Sequence, residues 1–219
     1  MIRFVNATKS FRTRHGRKYV MRNVNLEIPS GVNVAFIGRN GAGKSTILRL
    51  LAGCDIPDEG HIETTYAISW PMGLANGLQS SLTGRENARF VCRIMGMPEE
   101  EIDGVLAWIR KFSELGDYFD MPIRTYSSGM YSRLNFAVSM AFDFDCYIFD
   151  EMGAVGDQDF HDKSRQVLQA KQDDSIIIKV SHDLDELKRD CDVAVLVHEG
   201  NLTLFDTVEA GVEAYLALQ

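Results

Sequence analysis

The sequence predicts an α/β fold: a core of mostly parallel strands and helices, an antiparallel β-subdomain near the start, and a helical subdomain in the middle. Three observations carry that expectation. Short apolar runs at Val32–Ile37, Tyr147–Phe149, Ile176–Val180 and Val193–Val197 have strand length and little polar alternation, as strands buried on both faces do. From about Thr83 to Phe144 the apolar period becomes helical. The glycine-rich octet Gly38-Arg39-Asn40-Gly41-Ala42-Gly43-Lys44-Ser45 joins the first apolar run to the helical run Ser45–Ala52.

Taken in order, Ile2–Val5 and Asn23–Ile28 alternate more than the later runs and belong to the antiparallel region. Pro57-Asp58-Glu59-Gly60 is a turn leading into a short strand, His61–Thr64. Thr83-Gly84-Arg85-Glu86 fits a capping box, in which the threonine hydroxyl and the glutamate satisfy exposed amides at a helix start. Pro98 opens a second helix after Gly96-Met97, and Met130–Phe142 is a third amphipathic stretch. A short helix, Val208–Leu218, closes the chain. The expected division is one domain over 1–219, with 1–82 and 146–219 as the core and its N-terminal β-subdomain, and about 83–145 as the helical subdomain.

The chain has 219 residues, 45% hydrophobic and 25% charged, an ordinary globular composition that excludes disordered and collagen-like classes. Thirty-one acidic against 23 basic residues give a net charge of −8, which disfavours a sequence-independent grip on nucleic acid; no such partner is expected. No apolar run approaches the roughly 20 residues of a membrane span. Met1-Ile2-Arg3-Phe4 does not read as a secretory leader. Cys54, Cys92, Cys146 and Cys191 are far apart, so they read as reduced thiols rather than bridges or a zinc site. A soluble, cytosolic chain is the expectation.

The octet satisfies G-x-x-x-x-G-K-[ST] in its required strand–turn–helix setting. Glycines let successive amides turn inward around phosphate oxygens without a Cβ clash. Lys44 neutralises β- and γ-phosphate charge, the Ser45 hydroxyl ligates Mg²⁺, and Thr46 continues the amide-rich helix start. Downstream, Cys146–Phe149 delivers Asp150 and Glu151 to a strand's C-terminal edge, where open α/β sheets bind ligands. There Asp150 would hold the Mg²⁺ shell, and Glu151, pointing the other way, would orient and deprotonate a water.

Three further motifs follow in order: Tyr126-Ser127-Ser128-Gly129-Met130, Ala154-Val155-Gly156-Asp157 and Ser181-His182-Asp183. With the two above, they resemble the ATP-binding-cassette (ABC) ATPases from about residue 2 to 205. The family's usual Leu-Ser-Gly-Gly-Gln is matched through Ser127 and Gly129 and departed from at Tyr126, Ser128 and Met130. The resemblance implies a P-loop ATPase that binds ATP and Mg²⁺ and forms a head-to-tail homodimer around two ATP molecules. It implies that Ser127, Ser128 and Gly129 reach the γ-phosphate on the other subunit's Lys44. Asp157 would line the seam, and His182 would contact the γ-phosphate and position the attacking water. Phe11, in Thr8-Lys9-Ser10-Phe11, stands where the family stacks adenine, with Tyr19 a second candidate. Arg12, Arg14, Arg17, Lys18 and Arg22 make this hairpin basic, as a solvated face or as a contact for nucleotide phosphates or an anionic lipid or glycolipid head group. The family's glutamine before the helical subdomain has no direct counterpart: an ungapped count gives Leu74, and Gln79 is the nearby glutamine.

The loop from Ser69 to Asn87 resembles that of the capsular-polysaccharide export ATPases of Gram-negative bacteria. Tyr-Ser-Ser-Gly-Met and Ala-Val-Gly-Asp are similar to those of polysaccharide exporters more broadly. Trp70, Pro71, Met72, Leu74, Leu78 and Leu82 put apolar area into a surface loop, which either docks a partner or folds onto its own core. The resemblance implies a separate integral-membrane permease, a polysaccharide substrate touched only indirectly, and a peripheral position on the cytoplasmic face of the bacterial inner membrane. Ending at Gln219, the chain is expected to be of the capsule type rather than the type with an added carbohydrate-binding domain. Two other readings are a soluble ABC ATPase acting on DNA or ribosomes and a subunit gated by nucleotide without turnover. The first lacks the long coiled-coil arms or fused second cassette it would need, and the presence of Glu151 and His182 speaks against the second.

Overall fold

The computed structural model describes residues 1–14, 16–71, 78–150, 158–173 and 175–218. In chain order the elements are β1 (Ile2–Thr13), β2 (Gly16–Ile28), β3 (Val34–Ile37), α1 (Lys44–Leu51), β4 (Glu59–Thr64), α2 (Gly84–Ile94), α3 (Glu99–Ser113), α4 (Ser128–Met140), β5 (Cys146–Asp150), α5 (Gln158–Asp173), β6 (Ile176–Val180), α6 (Leu184–Asp190), β7 (Val193–His198), β8 (Asn201–Phe205) and α7 (Val208–Leu216). Two compact units emerge: residues 1–72, 144–151 and 174–219 form one, and residues 73–143 and 152–173 the other.

The first unit holds both sheets. One is three-stranded and antiparallel in the order β2-β1-β4; the other is five-stranded in the order β5-β6-β3-β7-β8. In the larger sheet β5, β6, β3 and β7 pair in parallel, and β8 closes the edge antiparallel to β7. Val34, Ala35 and Phe36 in β3 are fully buried, which is why the sequence shows an unbroken apolar run there. Ile47, Leu48, Leu50 and Leu51 of α1 pack into the same core as Ile148, Ile178 and Val195.

The β1–β2 hairpin is much longer than the two short alternating segments expected from the sequence. Register shifts between Phe4 and Ser10, with left-handed Asn6 and Asn23 (φ 46° and 49°), break the period of two. Ala7, Thr8 and Lys9 are consequently buried in succession. A bulged strand changes faces midway, so alternation survives only at its ends. Strand β8 and helix α5 also lacked a clear sequence signal. The former is a short, half-exposed edge, and the latter carries only thinly spaced apolar residues.

The second unit is helical. Thr83 caps α2 through the reciprocal Thr83–Glu86 box, as its sequence predicts, and Pro98 precedes α3. Its centre is aromatic: Phe112 stacks on Trp108 at 4.9 Å, and Phe160 meets Phe112 and Phe136 edge-on at 5.6 and 6.1 Å. Arg133 lies over the Phe160 ring at 4.7 Å and Lys163 over Phe112 at 4.6 Å. Both cations also pair with Glu114, which ends α3 in a left-handed conformation.

Candidate functional site

Parallel pairing brings the chemistry to one edge. Asp150 ends β5, Ser181-His182-Asp183 follows β6, and Gly38 follows β3, on three neighbouring strands running the same way. The register sets Asp150 opposite Val180 and Ala35 opposite Lys179. The C-terminal ends of these strands are where an open parallel sheet leaves room for a ligand.

Tight packing shapes the loop from Gly38 to Ser45. Gly43 caps α1 with φ 108°, and a Cβ there would stand 2.4 Å from Val20 Cγ1. At Gly38 a Cβ would lie 2.5 Å from the Val197 carbonyl oxygen. Only glycine fits either place. The Lys44 ammonium, 8% exposed, curls back over the loop and donates to the carbonyls of Gly38 (2.7 Å) and Arg39 (3.3 Å). Ser45 is exposed and Thr46 half-buried on the first turn of α1. A cation within a glycine turn at a helix N-terminus suits a phosphate chain.

Asp150 is nearly buried at the end of β5. Its carboxylate and the Ser45 hydroxyl are hard oxygen donors of the kind Mg²⁺ takes, so the residues present fit that ion. Among the described residues no cluster of three or more His, Cys, Asp or Glu side chains forms a metal cage. Glu151 and Asp157 lie outside the described residues, as do Ala154, Val155 and Gly156.

His182 is exposed on the turn between β6 and α6. Ser181 Oγ accepts from the Asp183 amide, and Asp183 caps α6 by accepting from the Asp185 and Glu186 amides at 3.0 and 3.1 Å. Beneath the turn, Lys179 of β6 donates to Asp190 at 2.5 Å and pairs with Glu186 at 2.9 Å. Burial alone would push this ammonium down, but its hydrogen bonds to Asp190 and Glu186 hold it above the usual lysine value. For Glu186, burial raises the carboxyl, yet hydrogen bonds from Ser181 and Lys179 bring it below the usual range. In the sequence this pin has one visible sign, a lysine inside an otherwise apolar strand.

Phe11 is 47% exposed on β1 and pairs across the hairpin with Lys18 of β2. Lys18 donates from Nζ to the Gly41 carbonyl at 2.9 Å. Tyr19 sits one position on, half-buried beneath the Arg22 guanidinium at 5.0 Å; Lys9 Nζ lies over the Phe11 ring at 5.8 Å, and Phe11 is the more exposed of the two rings. Burial pushes the Cys146 and Cys191 thiols up to about 12, and all four cysteines are unbridged.

In the helical unit, Ser127 caps α4 and accepts from the Met130 amide at 3.2 Å. Ser127 and Ser128 are exposed, and a Cβ at Gly129 would meet only the Ser127 hydroxyl, at 4.0 Å. The α4 N-terminus is therefore open for an anion. In the first turn of α2, buried Asn87 accepts from the Gln79 amide and donates to the carbonyls of Gln79, Leu82 and Thr83. This clamp fixes the Gln79 backbone while its side chain stays exposed. Leu74 and Met72 lie outside the described residues. Trp70 meets Phe144 edge-on at 5.4 Å and Pro71 is buried, so this end of the apolar loop folds onto its own unit.

Residues 21–154 match the family described as ABC transporter. Over 220 residues the chain is 51% identical to a polysialic acid transport ATP-binding protein, KpsT, of Escherichia coli, spanning 100% of this chain and 98% of that one. It is 42% identical over 218 residues to the capsule polysaccharide export ATP-binding protein CtrD of Neisseria meningitidis, spanning 100% of both. Among solved structures, a dimeric ATP-binding cassette in a post-hydrolysis state bound to ADP and Pi superposes with a TM-score of 0.74. It has 22% identity and covers 94% of this chain and 98% of that one. No described helix is long and apolar enough to cross a membrane.

Proposed function

This chain belongs to the ABC transporter family, and from that premise we propose that it is the ATP-hydrolysing subunit of a capsular-polysaccharide exporter. Two copies would close on ATP and drive an integral-membrane permease from the cytoplasmic face of the inner membrane. The lipid-linked polysaccharide would pass through the permease, not through this chain. The observation that carries the reading is the convergence of Gly38, Asp150 and His182 at the ends of three adjacent parallel strands. Full-length likeness to capsule and polysialic acid export proteins supplies the substrate class.

In this mechanism the amides of Gly38 to Thr46 cradle the phosphates while Lys44 turns from its carbonyl partners to the β- and γ-oxygens. Ser45 and Asp150 would hold Mg²⁺, which when bound neutralises phosphate charge. Glu151 takes the proton of the attacking water, and His182 fixes the γ-phosphate from the turn above the Lys179 pin. From the second copy, Ser127, Ser128 and Gly129 would supply hydroxyls and amides to the same phosphate, with Asp157 at the seam. Phe11 would stack on adenine.

Co-purification from membranes tests the assignment. The chain should come down with a polytopic permease that raises its ATPase rate. Glu151→Gln should keep ATP bound while turnover falls by about 10²–10⁴-fold. An unstimulated chain with no membrane partner, or a Glu151→Gln protein that turns over at the normal rate, contradicts it.

A further inference from the structure

Lys18 connects two features that the proposed mechanism treats separately. It is the direct cross-strand partner of Phe11, so the two side chains share one face of the β1–β2 hairpin. Its ammonium reaches off that face to the Gly41 carbonyl, in the middle of the glycine turn, at 2.9 Å. Two residues on, Val20 packs on Gly43 of the same turn. The segment from Lys18 to Val20 thus lies along the cradle, with the exposed ring of Phe11 at its other side.

The Lys18 ammonium is exposed and, among the described residues, has no carboxylate at ion-pair distance. Across the hairpin tip Arg12 faces Arg17, a like-charged pair that disfavours the hairpin. The tip is cationic in a chain of net charge −8. A neutral carbonyl is a weak partner for an ammonium, whereas a phosphate gives a charge-assisted bond of roughly twice the strength. We propose that Lys18 is a second phosphate-binding cation of the nucleotide site. On nucleotide entry it leaves Gly41 and contacts the phosphates from the base side, complementing Lys44. The inference rests on the proposed ATP site and adds a residue from the β-subdomain to it.

Calorimetric titration of the nucleotide-free chain with ATP, ADP and adenosine, for the wild type, Lys18→Gln, Lys18→Arg and Lys44→Ala, tests this. Lys18→Gln should bind ATP and ADP about five- to tenfold more weakly, with little change for adenosine. Lys18→Arg should stay within about twofold of the wild type, since it keeps the charge. The nucleotide-free melting temperature should move by no more than about 2 °C, as for an exposed surface change. Unchanged ATP affinity in Lys18→Gln, with Lys44→Ala still defective, overturns the role of Lys18 and leaves the ATP site standing. A lowered melting temperature with equal losses for ATP and adenosine also overturns it, because Lys18 would then only tether the hairpin. A wild type that binds none of the three ligands removes the ATP site and this proposal together.

Discussion

Gly43 shows how a single residue sets the chemistry of the cradle. Its φ of 108° is one that a side-chain-bearing residue adopts only under strain, and Val20 occupies the space a Cβ would need. Gly43→Ala should therefore cost about 2 kcal/mol or more at the turn and weaken ATP binding at least tenfold in a fluorescence titration. Trimming the neighbour in Val20→Ala/Gly43→Ala should recover only part of that loss, because the backbone strain remains. Full recovery would mean that the turn tolerates alanine and that the contact alone mattered. This position was readable from the octet, but its reason was not. The motif asks for glycine, whereas the nearness of Val20, 23 residues away, is a product of folding.

At the scale of elements, α6 is held to β6 by one lysine between two acids, and His182 rides on the turn between them. Because the folded Glu186 value lies below the ordinary 4.5, its contribution is complete above that value and fades as pH falls through the folded one. The Lys179 value is raised above the ordinary 10.5, so its contribution is complete below that and fades as pH climbs through the raised one. The pin should hold fully between these limits. Lys179→Met should lower the melting temperature by roughly 5 °C near neutrality, for a loss of about 1–2 kcal/mol. The difference from the wild type should shrink in acid melts as the pH falls below 4.5 and through the lower folded value. A difference that persists undiminished there would rule out the ionic account. The Thr83–Glu86 box and the Asp183 cap are, by contrast, local events within four residues, which is why sequence spacing predicts them.

At the scale of the whole molecule, the proposed homodimer splits each site between copies, Lys44 on one and Ser127 on the other. Lys44→Ala and Ser127→Arg chains should each be inactive alone. In a random mixture half of the dimers pair one of each, and each such dimer keeps one intact site. Independent sites would restore about a quarter of wild-type turnover. A mixture no more active than either parent defeats the head-to-tail arrangement.

The sequence by itself determined the glycine-rich turn, the apolar strands beside it, the helix caps and the family, because these depend on residue type at short spacing. Order along the chain also identified Phe11, Asp150, Ser127 and His182 as candidates before any contact was known. Tertiary structure decided what spacing does not encode. The strand order β5-β6-β3 brings residues 38, 150 and 182 to one edge, and bulges extend the β1–β2 hairpin until Lys18 reaches Gly41. The cause is physical: parallel pairing and long-range packing are fixed by burying apolar faces together, and a lysine's partner is whichever group that burial leaves within reach.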